Sequence, residues 1–206
     1  MRSMKTIAAT LLLGCGAPLG FAAGELPQVN LERAAEINGG RCMLCHGPEG
    51  DSSSPLYPRL AGQHHQYIAK QLADFKSERR KSDTMTGMVQ DLTEEEMLAL
   101  GVFFEMKPTK PREARDQDLA AVGRFVFHRG NEFSGVAACA SCHGDKGLGT
   151  EKLPRLAGQV PRYTEAQLRS FNKRERTNDN EIMHSIASKL TELEVKAVAL
   201  YISTLD

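Results

Sequence analysis

With 206 residues, 26 basic and 26 acidic side chains and five cysteines, the chain has room for one large domain or two small ones. Its even charge balance gives no reason to expect a nucleic-acid partner. The one apolar run near the N-terminus, residues 7–13, is far too short to span a bilayer.

Residues 1–24 read as an export signal. Arg2 and Lys5 form the charged start, the apolar run follows, and Gly20-Phe21-Ala22 or Ala22-Ala23-Gly24 offers small residues at a cleavage site. A second reading is a weak lipobox, Leu12-Leu13-Gly14-Cys15, which would leave a lipid on Cys15 and hold the protein at the membrane. Both readings take the chain out of the cytoplasm, to the periplasm. Without the leader it carries 24 basic and 26 acidic residues, a net charge of −2.

Cys42-Met43-Leu44-Cys45-His46 is the first stretch with chemistry of its own, and the pattern returns as Cys139-Ala140-Ser141-Cys142-His143. Two residues between the cysteines bring both sulfurs to one side of a helical turn. From there they can add to the two vinyl groups of one porphyrin, and the adjacent histidine falls under the iron. Each copy therefore predicts one covalent c-type haem, held by Cys42 and Cys45 or by Cys139 and Cys142, with His46 or His143 as an axial ligand. A thioredoxin-like redox pair needs a βαβ setting that the sequence does not supply. A single zinc site would have to bridge a 93-residue spacer between Cys45 and Cys139, far longer than structural zinc sites use.

The chain is one unit written twice. Pro58-Arg59-Leu60-Ala61-Gly62-Gln63 recurs unchanged as Pro154-Arg155-Leu156-Ala157-Gly158-Gln159. Tyr67, Gln71-Leu72 and Phe75 recur as Tyr163, Gln167-Leu168 and Phe171, all at an offset of 96. Helical periodicity predicts a helix ahead of each attachment motif, one ended by Gly39-Gly40 and the other by Gly130-Asn131. In the second of these, Leu119, Val122, Phe125 and Val126 mark one face. Middle helices are predicted over residues 67–78 and 163–173. Each unit closes with a helix opened by the same capping box, Thr93 with Glu96 and Thr191 with Glu194. Met97, Leu98, Gly101 and Phe104 face inward in one closing helix; Val195, Val198 and Ile202 do so in the other. No stretch alternates long enough to predict a sheet, so the expected fold class is all-α.

Domains are expected at residues 25–106 and 116–206. The connector, 107–115, is stiffened by Pro108 and Pro111 and carries a charge of +3. The first unit holds 8 basic and 13 acidic residues, or −5, and the second balances 12 against 12. Such a charge dipole suits the steering of a redox partner.

A haem iron with one histidine needs something opposite it. Met183, 40 residues after His143, is the only methionine of the second unit, and the repeat aligns it with Met85, 39 residues after His46. Met85 and Met183 are the expected sixth ligands. Met88 stays an alternative in the first unit, although its counterpart, Ile186, cannot ligate iron. Met97 and Met106 read as core filler, and His64, His65, His128 and His184 as surface or internally satisfied histidines. The carbonyl of each repeated proline, Pro58 or Pro154, is placed to accept the imidazole Nδ1–H and fix the ring. Arg59, Arg155, Tyr67 and Tyr163 are candidates for meeting haem propionates, with plain helix packing an equal explanation for the tyrosines.

The duplicated C-x-x-C-H-G, the two P-R-L-A-G-Q segments, and the methionines at 85 and 183 ahead of L-T-x-x-E strongly resemble the dihaem cytochrome c4 family. The resemblance covers residues 25–206 and implies two tandem class I cytochrome c domains, each wrapped around one covalent haem c. It implies a periplasmic carrier, often membrane-associated, that passes single electrons from a quinol-oxidising complex towards a terminal oxidase without acting on a substrate. The run Ser52-Ser53-Ser54-Pro55 departs from the second copy, where Leu148-Gly149-Thr150 stands, and affects the edge of the first haem. Two alternatives remain open on the residues alone. One is a haem subunit of a larger dehydrogenase or oxidase complex. The other is a dihaem redox enzyme of peroxidase or thiosulfate-oxidising type, which would need an open iron.

Overall fold

The computed structural model describes residues 26–52 and 54–206. The export signal, its alternative cleavage sites and Cys15 lie outside the described residues, as does Ser53. Among the described residues ten α-helices follow in order: α1 Leu31–Ile37, α2 Met43–His46, α3 His65–Lys76, α4 Asp83–Val89, α5 Glu94–Glu105, α6 Gln117–Arg129, α7 Ala140–His143, α8 Pro161–Asn172, α9 Ile182–Ala187 and α10 Glu192–Thr204. Among the described residues there is no strand, only an isolated bridge between Asn131 and Val136.

Local chemistry sets the helix starts. Asn30 and Asp116 accept hydrogen bonds from the backbone N–H groups of Arg33 and Leu119, capping α1 and α6. Both expected capping boxes form, with Thr93 and Glu96 bonding each other's backbone and Thr191 and Glu194 doing the same. Acidic first turns on α5 and α10 add a favourable charge–dipole contact.

The first unit departs from expectation at Gly39-Gly40, which do not end the helix. The chain continues through a wider π-helical turn, Asn38–Cys42, straight into α2. Glycine costs a helix about 1 kcal/mol but does not remove its N–H donor, so the ladder can run on. In the second unit Gly130, at φ +70°, does stop α6, and a loop separates it from the attachment turn.

Two apolar cores form. In the first, α1 and α3 pack on α5 and α4 packs on α3, around Ile37, Phe75, Leu92, Met97, Leu100 and Phe104. In the second, α6 and α8 pack on α10, around Val126, Phe127, Val198 and Ile202. Met97 is core filler as expected, whereas Met106 is exposed at the end of α5. The predicted face of α6 also needs correcting. Ala120, Gly123, Val126 and Phe127 are buried, while Val122 and Phe125 face solvent. The reason is a close helix crossing: Gly123 lies against the backbone of Ala197 in α10, leaving no room for a Cβ. A large side chain cannot sit at that contact, so the small residues turn inward. Gly123→Ala is expected to cost about 2 kcal/mol through overpacking, read as a lower urea midpoint at unchanged slope.

Residues 107–115 form no helix and are bonded to both halves. Arg112 donates its backbone N–H to the Ser203 carbonyl (2.8 Å) and its Nη2 to the Ser52 carbonyl (3.2 Å). The Arg59 guanidinium donates to the Lys110 carbonyl.

Candidate haem sites and the face between the two units

Each attachment turn buries its histidine. His46 and His143 are both 7% exposed, and each Nδ1 lies against the carbonyl of the repeated proline, 3.0 Å from Pro58 and 3.1 Å from Pro154. The proline carbonyl can only accept, so Nδ1 carries the proton and donates it. Nε2 is left as the lone-pair nitrogen, and it makes no hydrogen bond among the described residues. Burial lowers the pKa of both imidazoles, with the proline contacts opposing it, so each ring favours the neutral form a metal requires. Burial likewise pushes the Cys42 thiol up and the Cys139 thiol up to about 11.

The two methionines at equivalent places are held alike. Met85 lies in the first turn of α4, where its backbone N–H donates to Ser82 Oγ (3.3 Å). Met183 lies in the first turn of α9, where its N–H donates to Asp179 Oδ2 (2.6 Å) after two left-handed residues, Asn180 and Glu181. Met85 packs against the first core with Cys42, while Met88 is 44% exposed. The main-chain carbonyl of Met88 is instead fixed by Arg41, whose guanidinium also grips Asp91 through two bonds of 2.6 and 2.9 Å. That hydrogen bond from Arg41 holds the Asp91 carboxyl down at about 2. Because the folded-state value is depressed, the pair stabilises the protein above pH 4 and is lost as pH falls towards 2. Asp91→Asn should therefore flatten the acid limb of stability between those values, measured by urea unfolding at stepped pH.

The repeated hexapeptides meet each other. Gln63 accepts from the Arg155 N–H (2.8 Å) and donates to the Arg155 carbonyl (2.9 Å). Gln159 does the same to Arg59, at 2.8 and 3.0 Å. The match is reciprocal, as expected of two copies related by a pseudo-twofold axis.

Beside this clamp lies a buried polar network. Arg80 donates to Gln71 (2.7 Å) and, across the interface, to Tyr163 OH and Gln167 (both 2.9 Å). Arg176 mirrors it, donating to Gln167 (2.7 Å), Tyr67 OH (2.9 Å), Gln71 (3.1 Å) and Asn178 (3.0 Å). Each guanidinium also stacks on a phenylalanine of its own unit, Arg80 on Phe75 and Arg176 on Phe171. Burial alone would push the Tyr163 phenol up, but the charges of Arg80 and Arg176 bring it below its ordinary value. Both arginines bond neutral acceptors among the described residues, and the carboxylate of the network, buried Asp74, accepts instead from Asn178 (2.6 Å) and Lys70.

The sequence profile of the cytochrome c family matches residues 31–129 and again 127–206. Cytochrome c4 of Thiocapsa roseopersicina is 41% identical over 185 residues, which is 87% of this chain and 95% of that protein. The chain belongs to the dihaem cytochrome c4 family. The crystal structure of reduced recombinant cytochrome c4 from Pseudomonas stutzeri superposes with a TM-score of 0.82 at 33% identity, covering 87% of this chain and all of that one. A thiosulfate dehydrogenase electron acceptor of Thiomonas intermedia is 34% identical, covering 82% of this chain and 81% of that protein. As a member of the cytochrome c4 family the chain is an electron carrier with two haem c groups, not an enzyme.

The residues present fit that cofactor. Each turn offers two thiols and a buried neutral imidazole with its tautomer fixed. The interface offers two guanidiniums without a carboxylate and a buried Arg155 Nε that lacks a partner among the described residues, all suited to the propionates a haem carries. Of the propionate candidates, Arg59 and Arg155 back onto the opposite unit's Gly158 and Gly62, and the two tyrosines bond across the interface to arginines. Arg80 and Arg176 were not singled out from the sequence. The signal was available, because they recur at the offset of 96 that relates the hexapeptides. The four other histidines are internally satisfied: His64 bonds the Leu148 carbonyl, His65 Glu105, His128 the Tyr201 hydroxyl and His184 the Phe171 carbonyl.

Proposed function

We propose that the chain carries single electrons outside the cytoplasm, from a quinol-oxidising complex towards a terminal oxidase, using two closed His/Met sites. Residues 25–106 and 116–206 act as the two carriers, joined by 107–115. When bound, each haem supplies a one-electron ferric/ferrous exchange. Cys42 and Cys45, and Cys139 and Cys142, tether the group. His46 and His143 would offer Nε2 to the iron, and Met85 and Met183 would offer their sulfurs. The observation that carries the reading is the pair of buried histidines, each oriented by the proline carbonyl of a repeated segment. A carbonyl bond of this kind fixes the ring and makes it a better donor. The exposure of Met88 supports Met85 as the ligand of the first unit. No helix among the described residues is long and apolar enough to cross a membrane.

Magnetic circular dichroism of the ferric protein tests the ligands. Two methionine-to-iron charge-transfer signals per chain, with no carbon monoxide uptake on reduction, are expected. One high-spin or carbon-monoxide-binding site would end the carrier reading and favour an enzyme.

A second route is favoured by the kinship to an electron acceptor of thiosulfate dehydrogenase. On that route the chain takes its electrons from a sulfur-compound dehydrogenase and works beside it as a haem subunit. Co-purification in equal amounts with such an enzyme would favour this route. Reduction by a quinol-oxidising complex alone would favour the first.

A further inference from the structure

From Phe75 to Arg80 and from Phe171 to Arg176 the two units run in step, at an offset of 96. Their backbones match there as well. The Arg80 N–H donates to the Asp74 carbonyl (2.9 Å), and the Arg176 N–H donates to the Ser170 carbonyl (3.2 Å). The step is then lost. Met85 comes five residues after Arg80, whereas Met183 comes seven after Arg176, so the methionine loop of the second unit is two residues longer.

That longer loop is fastened to the first unit where it begins. Asn178 is buried, and its Nδ2 donates to Asp74 Oδ2 (2.6 Å) and to Gln71 (3.0 Å). Its Oδ1 accepts from Arg176 Nε (3.0 Å), and its backbone carbonyl accepts from Lys70 Nζ (2.9 Å). Lys70 also pairs with Asp74. The next residue, Asp179, accepts from the backbone N–H groups of Glu181 (3.2 Å) and Met183 (2.6 Å) and so fixes the entry to α9. Asn180 and Glu181 between these points are left-handed, a conformation kept where the surroundings over-determine it.

The fastening runs in one direction. At the offset of 96, Ala166 and Ser170 stand in the places of Lys70 and Asp74. Alanine has no donor, and the Ser170 hydroxyl turns to Glu175 of its own unit (3.5 Å). In the first unit Met85 is held by Ser82 of its own loop, and residues 81–85 make no hydrogen bond to the second unit among the described residues. The Asp74 carboxylate is only 3% exposed, with Arg79 Nε the other cation near it, at 3.7 Å. Burying a charge costs stability unless it is paired and hydrogen-bonded. The reciprocal bonds of the glutamines and arginines already join the units, so joining them does not account for this one-sided carboxylate.

We infer that Lys70 and Asp74 of the first unit are positioning residues for the methionine of the second. They act through Asn178 and Asp179 and hold the Met183 loop closed. The inference rests on the reading of Met183 as the sixth ligand of the second iron. A hydrogen bond to a carboxylate is stronger than one between neutral groups, so the loop is held most firmly at Asn178. Opening it breaks contacts with the first unit, whereas the Met85 loop opens without its neighbour.

The test is a titration of the ferric holoprotein with imidazole, which binds iron only where methionine gives way. Binding is followed by loss of the methionine-to-iron charge-transfer signals. Lys70→Ala with Asp74→Ser gives α3 the residues that α8 has at the same places. It should raise the affinity of the second site for imidazole about tenfold and leave the first within about twofold. Asp74→Asn keeps an acceptor for Asn178 and should lose less than half of that effect on a logarithmic scale. The Met183→Ala variant identifies the sites, because the signal it retains belongs to the first unit. Lys70 is half exposed, so Lys70→Ala alone does not endanger the fold and should shift the second site in the same direction. A merely structural role would lower the urea midpoint and loosen both sites alike, which would overturn the inference, as would unchanged affinities. If Met183→Ala kept both signals, the ligand reading would fail instead, so the two failures are distinct.

Discussion

Replacing Met183 with alanine should open the second iron to carbon monoxide and lower its potential by on the order of 0.1 V, a fraction of the roughly 0.8 V that axial ligation spans in haem proteins. Met183 is held at the start of α9 by Asp179 and preceded by two left-handed residues, Asn180 and Glu181. That geometry costs on the order of 1 kcal/mol or more per residue and is retained where the surrounding structure fixes it. Truncating the side chain at Cβ removes the sulfur but leaves the Asp179 bond and the helix, so the variant should fold. The measurement is a ferrous carbon monoxide difference spectrum with a redox titration. One of the two sites should take up the gas and the other remain unchanged. If both charge-transfer signals survived the substitution, Met183 would not be a ligand. The same experiment on Met85 and Met88 separates them, since only the ligand's loss should open the first iron.

Arg176→Ala should cost about 3 kcal/mol or more of stability, the largest single loss expected outside the two cores. The guanidinium is 8% exposed and donates to Gln167, Tyr67, Gln71 and Asn178. Alanine leaves these acceptors buried with fewer donors, and each unmet group costs about 1–3 kcal/mol where water cannot enter. It also removes the stacking on Phe171. Lysine should recover less than half of the loss, because a single ammonium cannot reach the same fork of partners. Arg174→Ala is the control: its ion pair with Glu181 is exposed on both sides, and its loss should stay within about 0.5 kcal/mol. Urea unfolding of the three variants decides the matter. An Arg176→Ala midpoint equal to that of the control would mean that the network is dispensable.

Much of the molecule could be read from the chain because its chemistry is local. C-x-x-C-H needs one turn, a capping box needs four residues, and both copies of each formed as their spacing required. The repeat supplied a second reading of each position. It favours Met85 over Met88 as the expected ligand, and it sets Pro58 and Pro154 12 and 11 residues after the histidines they meet.

Errors arose where a residue's fate depended on a distant neighbour. Apolar size suggested that Val122 and Phe125 faced the core, but the crossing of α10 over Gly123 turned the small residues inward. Gly39-Gly40 look like a helix stop, yet the chain winds on through them to deliver Cys42 to its turn. Met106 has the spacing of a core residue on a helix that ends one position too early to bury it.

The sequence by itself determined the all-α class, the duplication, the attachment chemistry and the residues expected at the iron. These depend on spacing along the chain, and spacing is written in the chain. Only the tertiary structure decided that the repeated glutamines clasp the opposite unit's arginines and that Arg80 and Arg176 cross the interface to the opposite tyrosines. Those facts depend on how two folded units meet, across separations of 80 to 110 residues along the chain that no local pattern encodes.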